Sequence, residues 1–409
     1  MLKMYFIDYM FLGFAFITLY LIVLFMILFI KNRERMFDKV PVSRLPSVSI
    51  IIPAYNEEEH IAETIRSVKR LSYPRERFEI LVIDDGSTDG TAEKAKKEGV
   101  SVITKERGGK ASALNLGIEK AKGQIIGCVD ADSYPEEDAL LKMVAYFDDP
   151  RVAAVTSSIL VRNPKNLLQR LQEMEYILIA WGRKLLDYLH SVYVTPGPLS
   201  LYRRDVLKKI GGFDERVLTE DIEIAWRLQR KGYKIRMALP ARVYTNVPES
   251  FRKWWNQRIR WDIGGIQTVN IYKYAFFRKR YGIFGMFIVP HFSISMFISL
   301  LGLGLFLYLI SMRLFNFLEF CYYAYLAGID PLRYYPLTLL PNVFTVLGLM
   351  VLLFSLIYLM VGLKTMKKGF LNIKTLFEML IYLSVYLFLF PILLVQSFWR
   401  LTVYRKQKW

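Results

Sequence analysis

The sequence predicts an α/β domain built on a parallel sheet and inserted between transmembrane helices, with amphipathic helices at the bilayer surface: a multi-pass α-helical membrane protein. Three observations lead there. Of the 409 residues, 54% are hydrophobic, too many for one soluble domain. The excess is gathered into four blocks, Tyr5–Ile30, Ile283–Ile310, Pro336–Leu363 and Leu376–Leu401, each long enough to cross a hydrocarbon core of about 30 Å. Between the first two, β-branched runs alternate with amphipathic helical patterns, which is the signature of a parallel sheet covered by helices on both faces.

Taken in order, residues 1–32 read as the first span and 33–46 as a basic linker. The first block is too long for a signal peptide and no small-residue cleavage site follows it, so it is expected to stay as an anchor. Residues 47–246 form the α/β domain, with an interfacial helix at about 164–190; 247–280 form a further interfacial helix region, and 281–409 hold about three more spans. The net charge of +18 is placed at the ends of the blocks: Lys31, Arg33, Arg35, Lys39 and Arg44 after the first, Arg278, Lys279 and Arg280 before the second, and Lys364, Lys367, Lys368 and Lys374 between the third and fourth. By the positive-inside rule these loops, and the domain with them, lie in the cytoplasm of a cell-membrane protein. The charge-poor connection Ser311–Tyr335 then faces outward. Arg400, Arg405, Lys406 and Lys408 conflict with a complete last crossing, and Pro391 offers a break there. Because the cations flank spans rather than forming one soluble face, the bilayer is the expected partner and nucleic acid is not. Cys128 falls in an expected buried strand and Cys321 in the outward connection, so no disulfide framework is expected. His291, beside Pro290 inside a span, reads as a structural group facing the bundle.

Within the domain, "SVSIIIPAY" is a strand ending in a turn, followed by an acidic helix start at Glu57–Glu59. "FEILVIDDGSTDG" repeats the scheme, with Ser87 or Thr88 as the helix cap. Then come strand "VSVITK", a Gly-Gly turn, a helix over Lys110–Ala121, strand "QIIGCVDAD" and helix "EEDALLKMVAYF". Ligands of such sheets bind beyond the carboxyl ends of the strands, and here those ends carry Tyr55-Asn56, Asp84-Asp85 and Asp130-Ala131-Asp132. No G-x-G-x-x-G follows the first strand, and "ERGGKAS" lacks the first glycine and the final hydroxyl of a phosphate loop, which excludes both common nucleotide motifs.

Several side chains then stand out. Ser133 with Glu136 supplies a plausible capping box, which leaves Asp130 and Asp132 free to offer hard oxygens to Mg²⁺ or Mn²⁺. Asp85 either forms an Asx turn with Ser87 or meets a base edge, with the Tyr55 ring stacking nearby. Lys110 opens a helix, where a cation opposes the dipole unless an anion sits close by. Glu220 and Asp221 begin a helix at Thr219; they either complement its dipole or provide a general base. In "FRKWWNQRIRW", Gln257, Arg260 and Trp261 stand at i, i+3 and i+4 and share a face, while Trp254 and Trp255 flank it and suit a membrane interface.

The ordered set "PAYNEE", "VIDDGS", "GGKASALN", "VDADS", "GPLSLYRR", "TED" and "QRIRW" resembles the membrane-integrated family 2 glycosyltransferases, among them the hyaluronan, chitin-oligosaccharide, cellulose and poly-N-acetylglucosamine synthases. The resemblance covers about Ser47 to Gln267 and implies a GT-A domain. It further implies that Pro53, Ala54, Tyr55, Glu57, Asp85, Lys110, Asp130 and Ala131 bind the donor nucleotide. Asp130 and Asp132 would organise Mn²⁺ or Mg²⁺, with Asp132 favoured as direct ligand, and Asp221 would be the catalytic base. Gln257, Arg258, Arg260, Trp261, Glu220, Gly197 and Pro198 would contact diphosphate or acceptor. The implied reaction is inverting, metal-dependent transfer from a UDP-sugar, for example UDP-N-acetylglucosamine, to a growing β-linked polysaccharide that passes through the later spans. One rival is transfer to a polyprenyl phosphate, which is already ionised and leaves Asp221 and Trp261 without a task. The other is a non-catalytic sensor of sugar nucleotides, which leaves the acidic rim unexplained. Sugar, linkage and oligomeric state stay open at this stage.

Overall fold

The computed structural model describes residues 6–38, 40–331, 343–367 and 372–403. Lys39, the start of the third predicted span at Pro336, Tyr335, Lys368 and the terminal Arg405, Lys406 and Lys408 lie outside the described residues.

An eight-stranded sheet forms the centre: β1 Val48–Ala54, β2 Phe78–Asp84, β3 Ser101–Thr104, β4 Ile125–Cys128, β5 Ser133–Pro135, β6 Val152–Val161, β7 Ser200–Arg203 and β8 Lys234–Thr245. Their spatial order is β3-β2-β1-β4-β7-β6-β8-β5. The first four strands are parallel, as expected. The whole sheet is mixed rather than parallel, because β7 runs antiparallel to both β4 and β6 and β5 antiparallel to β8. β1 is buried along its length because it lies between two layers. Ile51 packs toward α4 Lys110–Lys120 and α6 Leu167–Tyr188, whereas Ile50 and Ile52 pack toward α2 Ile61–Lys69 and α5 Ala139–Val144. Alternate side chains of a strand point to opposite faces, so a strand covered on both sides reads as continuous isoleucine.

Two expected caps are displaced. Ser133 belongs to β5, where its hydroxyl faces Thr245 at 3.4 Å, and α5 starts after Asp138 without a side-chain cap. The helix after β2 is α3 Thr91–Lys97, preceded by Gly90 rather than by Ser87 or Thr88. Asp84, not Asp85, makes the local turn, accepting from the Ser87 amide at 3.1 Å.

Four helical segments are long and apolar enough to cross a membrane: Phe6–Arg35, Phe284–Leu326, Thr345–Met366 and Ile373–Val403. The helices that make them up are α1 Phe6–Asn32, α10 Val289–Leu326, α11 Val343–Lys367, α12 Ile373–Ile381 and α13 Leu387–Val403. The second runs 43 residues, about 65 Å at 1.5 Å per residue, so the expected outward connection is helical as far as Leu326 and Cys321 is inside a helix. Pro391 does not end the last segment. The helix continues through it, and a π-turn over Tyr382–Tyr386 precedes that helix.

α6 joins the two halves. Asn166 and Gln169 form a reciprocal capping box at its start. Trp181, fully buried, meets the sheet core on one side, and on the other Tyr358 of α11 at 4.8 Å and Phe29 of α1 at 5.6 Å. α9 Phe251–Tyr272 packs along α13. Trp254 is fully buried and donates to the Tyr386 hydroxyl at 2.9 Å, and Trp255 donates to Gln396 at 2.7 Å. These tryptophans are therefore taken up by protein contacts rather than by a free interfacial face, because the helix they lie on has a membrane helix for its neighbour.

Candidate active site

The rim beyond β1, β2 and β4 collects the residues singled out above. After β1 the chain turns at Asn56, in left-handed conformation at φ 53°, between Tyr55 and Glu57. The Arg107 guanidinium lies 3.9 Å over the Tyr55 ring and donates to its hydroxyl at 2.5 Å. One face of Tyr55 is thus a cation-backed plate. Asp85 is only 4% exposed and accepts from the amides of Gly108 and Gly109 at 2.9 and 2.7 Å and from Lys105 at 2.8 Å. Its carboxylate organises the glycine loop rather than standing free at the rim.

That loop delivers Lys110. Gly109 has φ 91°, a conformation natural only to glycine, and α4 begins at the next residue. The anions that its position calls for are two carboxylates: Nζ lies 2.5 Å from Asp130 and 3.3 Å from Glu220. Burial draws the ammonium pKa down, but Asp130 and Glu220 more than offset it, so the lysine is held charged. The Asp130 amide bonds to the Gly197 carbonyl at 3.1 Å, and a Cβ on Gly197 would collide with both the Lys110 ammonium and the Asp130 carboxylate. The turn-rich loop that carries Gly197 and Pro198 therefore lies directly on the ion pair.

Asp132 and Glu57 complete an acidic pocket with Asp130. Burial pushes the Asp132 carboxyl up to about 6, with Asp130 adding to it. Burial and then the charges of Asp132 and Asp130 push Glu57 up to about 7. Carboxylates that raise one another's pKa attract a cation. Among the described residues no three acidic, histidine or cysteine side chains are arranged to hold a metal by themselves. The donor set fits a hard divalent ion that takes two protein oxygens and fills its shell from a ligand.

On the other side of Lys110, α8 Glu220–Arg230 presents Glu220 and Asp221 in its first turn. Asp221 is fixed through its backbone: its carbonyl accepts from the Thr195 amide at 3.3 Å and hydroxyl at 3.1 Å. Burial raises its carboxyl to about 7, with neighbouring Glu220 contributing and Lys110 opposing. Asp132, Asp130, Lys110, Glu220 and Asp221 thus form one continuous constellation.

The helix with the QRIRW stretch abuts it. Gly264 of α9 lies against Thr219, whose side chain a Cβ there would strike, and a Cβ on Gly265 would sit 3.2 Å from Phe292 and 3.3 Å from Met296 of α10. Gln267 also accepts from the Leu218 amide at 3.0 Å. Trp261 lies 6.5 Å from the Tyr176 ring and carries the Arg258 guanidinium 4.1 Å above its own. Arg258 is 1% exposed and pairs with Glu175 of α6, while its Nη2 donates to the Tyr386 hydroxyl at 3.1 Å. It is a buried structural cation, unlike Arg260, which is exposed. Gln257 touches Arg258 at 3.4 Å. Glu175, Tyr176 and Tyr386 escaped sequence reasoning, although a glutamate among the apolar positions of the 167–188 helix was a visible anomaly.

The glycosyl transferase family 2 model matches residues 49–211. The chain is 34% identical over 237 residues to poly-beta-1,6-N-acetyl-D-glucosamine synthase of Staphylococcus aureus, covering 56% of this chain and 57% of that one. It is 35% identical over 265 residues to the probable glycosyltransferase YdaM of Bacillus subtilis, covering 61% of each. It thus spans about three fifths of the length of the curated relatives it matches. Among solved structures, the mannosyltransferase PcManGT from Pyrobaculum calidifontis, in complex with GDP-Man and Mn²⁺, superposes with a TM-score of 0.57 at 20% identity, over 97% of this chain and 99% of that one. Its fold extends over the sheet and the apolar helices alike. The chain carries a glycosyl transferase family 2 domain of GT-A-like fold, joined to four helices apolar and long enough to span a membrane.

Proposed function

We propose that the protein is an inverting glycosyltransferase working at the cytoplasmic face of the cell membrane, which moves a sugar from a nucleoside-diphosphate donor, a UDP-sugar such as UDP-N-acetylglucosamine, to a hydroxyl of a carbohydrate acceptor and builds a β-linked polymer. The observation that carries the reading is a carboxyl raised to about 7, Asp221, beside Glu220, which shares Lys110 with Asp130. A base poised near neutrality is what proton abstraction from an alcohol requires. A phosphate acceptor has no such proton to lose. The N-acetylglucosamine donor is supported by the similarity to the staphylococcal synthase, and the cytoplasmic side by the basic residues flanking the spans.

In this mechanism Asp130 and Asp132 would hold Mn²⁺ or Mg²⁺ together with diphosphate oxygens, and the ion, when bound, neutralises charge on the departing diphosphate. Lys110 supplies a second positive charge at the same place. The Arg107-backed Tyr55 ring stacks on the base, in the frame that Asp85 builds from Gly108 and Gly109. Arg260 and Gln257 lie on the helix that closes the site, with Arg260 suited to phosphate oxygens, and the Trp261 indole supports the acceptor ring. Asp221 takes the proton of the acceptor hydroxyl as it attacks the anomeric carbon from the side opposite the diphosphate, which converts an α-linked donor into a β-linked product.

The test uses full-length protein in lipid nanodiscs with a panel of nucleotide sugars and Mn²⁺ or Mg²⁺, following nucleoside diphosphate release and product size. Asp221→Asn is expected to keep donor affinity and to lose transfer by about 10³-fold. Near-normal turnover in that variant overturns the hydroxyl-acceptor reading in favour of a polyprenyl phosphate.

A further inference from the structure

A cavity of about 260 Å³ opens where α9 meets α10 and α13. Phe292, Met296 and Phe390 make much of its wall. His291, Ser295 and Ser299, at successive intervals of four on α10, add one polar stripe. Among the described residues, Asp262 is the only carboxylate in the wall, and no Lys or Arg lines it. Asp262 Oδ2 is buried and no hydrogen bond reaches it among the described residues. A buried oxygen of this kind is costly unless something donates to it.

Two residues of the cavity wall neighbour the rim in sequence. Asp262 follows Trp261 in sequence. Tyr193, also in the wall, is two residues from Thr195, the residue that fixes the Asp221 backbone. The neighbouring Gly265 lets α9 close on Phe292 and Met296, so the apolar wall lies against the same turn of helix that carries the carboxylate. The space suits one sugar ring, with aromatic carbon for its C–H face and a carboxylate for its donors.

We propose that this cavity seats an inner sugar unit of the acceptor chain, and that Asp262 restricts it to neutral or amino sugars by accepting from hydroxyl, amide or ammonium groups and repelling acidic ones. The inference rests on the reading of the protein as a transferase to carbohydrate. A uronate would bring a second carboxylate beside Asp262, and among the described residues the cation that acts on Asp262 is Arg258, which is already paired with Glu175.

The experiment measures binding as well as turnover. Full-length protein in nanodiscs, without donor, is titrated with N-acetylglucosamine, glucosamine and glucuronate-containing oligosaccharides, following tryptophan fluorescence. Transfer is then assayed with the same acceptors. The wild type is expected to bind the first two and reject the third. Asp262→Asn is expected to weaken the glucosamine chain about tenfold, the size of one charge-assisted hydrogen bond, raise its KM equally, leave the donor KM unmoved, and admit the glucuronate chain. Met296→Trp, which fills the cavity from the opposite helix, is expected to raise the acceptor KM without relaxing the charge preference. Donor turnover with an unchanged acceptor KM in Asp262→Asn, or glucuronate bound by the wild type as well as glucosamine, overturns this proposal alone. Absence of transfer to every carbohydrate acceptor overturns it together with the function on which it rests.

Discussion

Removing Glu175 isolates a buried charge, and the cost can be worked from its surroundings. Glu175 and Arg258 are 4% and 1% exposed. The Tyr386 hydroxyl donates to Glu175 at 2.5 Å while accepting from Arg258 at 3.1 Å and from Trp254 at 2.9 Å, which uses its one donor and both acceptor positions. Glu175→Leu removes the carboxylate paired with the buried guanidinium, a loss of about 3–5 kcal/mol. At about 2 °C per kcal/mol for a chain of this size, the apparent melting midpoint falls by about 6 °C or more. Glu175→Leu/Arg258→Met replaces the pair by apolar groups and restores most of that stability, since a buried ion pair is commonly no better than a well-packed apolar substitute. Transfer does not return with it. The guanidinium lies 4.1 Å over the Trp261 ring, and losing a desolvated cation–π contact of about 2 kcal/mol lowers acceptor kcat/KM about 30-fold. The assays are intrinsic-fluorescence melting in nanodiscs and steady-state transfer at saturating donor. A single variant that melts within about 1 °C of the wild type, or a double variant that recovers transfer along with stability, refutes the reasoning.

Two further outcomes follow from the rim. With the Asp221 carboxyl raised to about 7, kcat/KM rises with pH up to about 7 and levels off above it. Because the unfolded carboxyl titrates near 4, the folded state holds the extra proton between about 4 and 7, so the contribution of Asp221 to stability falls across that same window. A rate profile that turns near 4 instead identifies an unperturbed carboxylate as the base. Gly197→Ala drives a methyl group into Lys110 and Asp130; a displacement of about 1 Å in such a constellation costs about 100-fold, and circular dichroism should show the domain still folded.

The parallel half of the sheet was legible because a strand buried on both faces must be apolar throughout, and "SVSIIIPAY" and "FEILVID" say so without help from the rest of the chain. The antiparallel half was not. β7 is four residues long, and β8 contains charges and Pro240, tolerated where the register with β6 jumps between Ser157 and Ser158. The identity of the rim residues was legible from their positions after strands, but their partners were not. Whether Lys110 meets phosphate or Asp130, and whether Asp85 faces a base or Gly108, depends on loops that approach from distant parts of the chain. The same holds for Trp254 and Trp255. Helical periodicity gives the face they share, and only the tertiary fold supplies the membrane helix that covers it.

Gly264 and Gly265 give the chain a joint one backbone thick. On one side of it stands Thr219, at the head of the helix that carries Asp221, and on the other stand Phe292 and Met296 of a membrane helix. No side chain cushions either contact. A tilt of α10 is therefore felt at Asp221 without passing through a flexible tether, and catalytic and membrane parts cannot be exchanged between relatives by cutting at the loop that separates them in sequence. A working chimera has to transplant α9 with the helices on both of its sides, as a single piece of hardware.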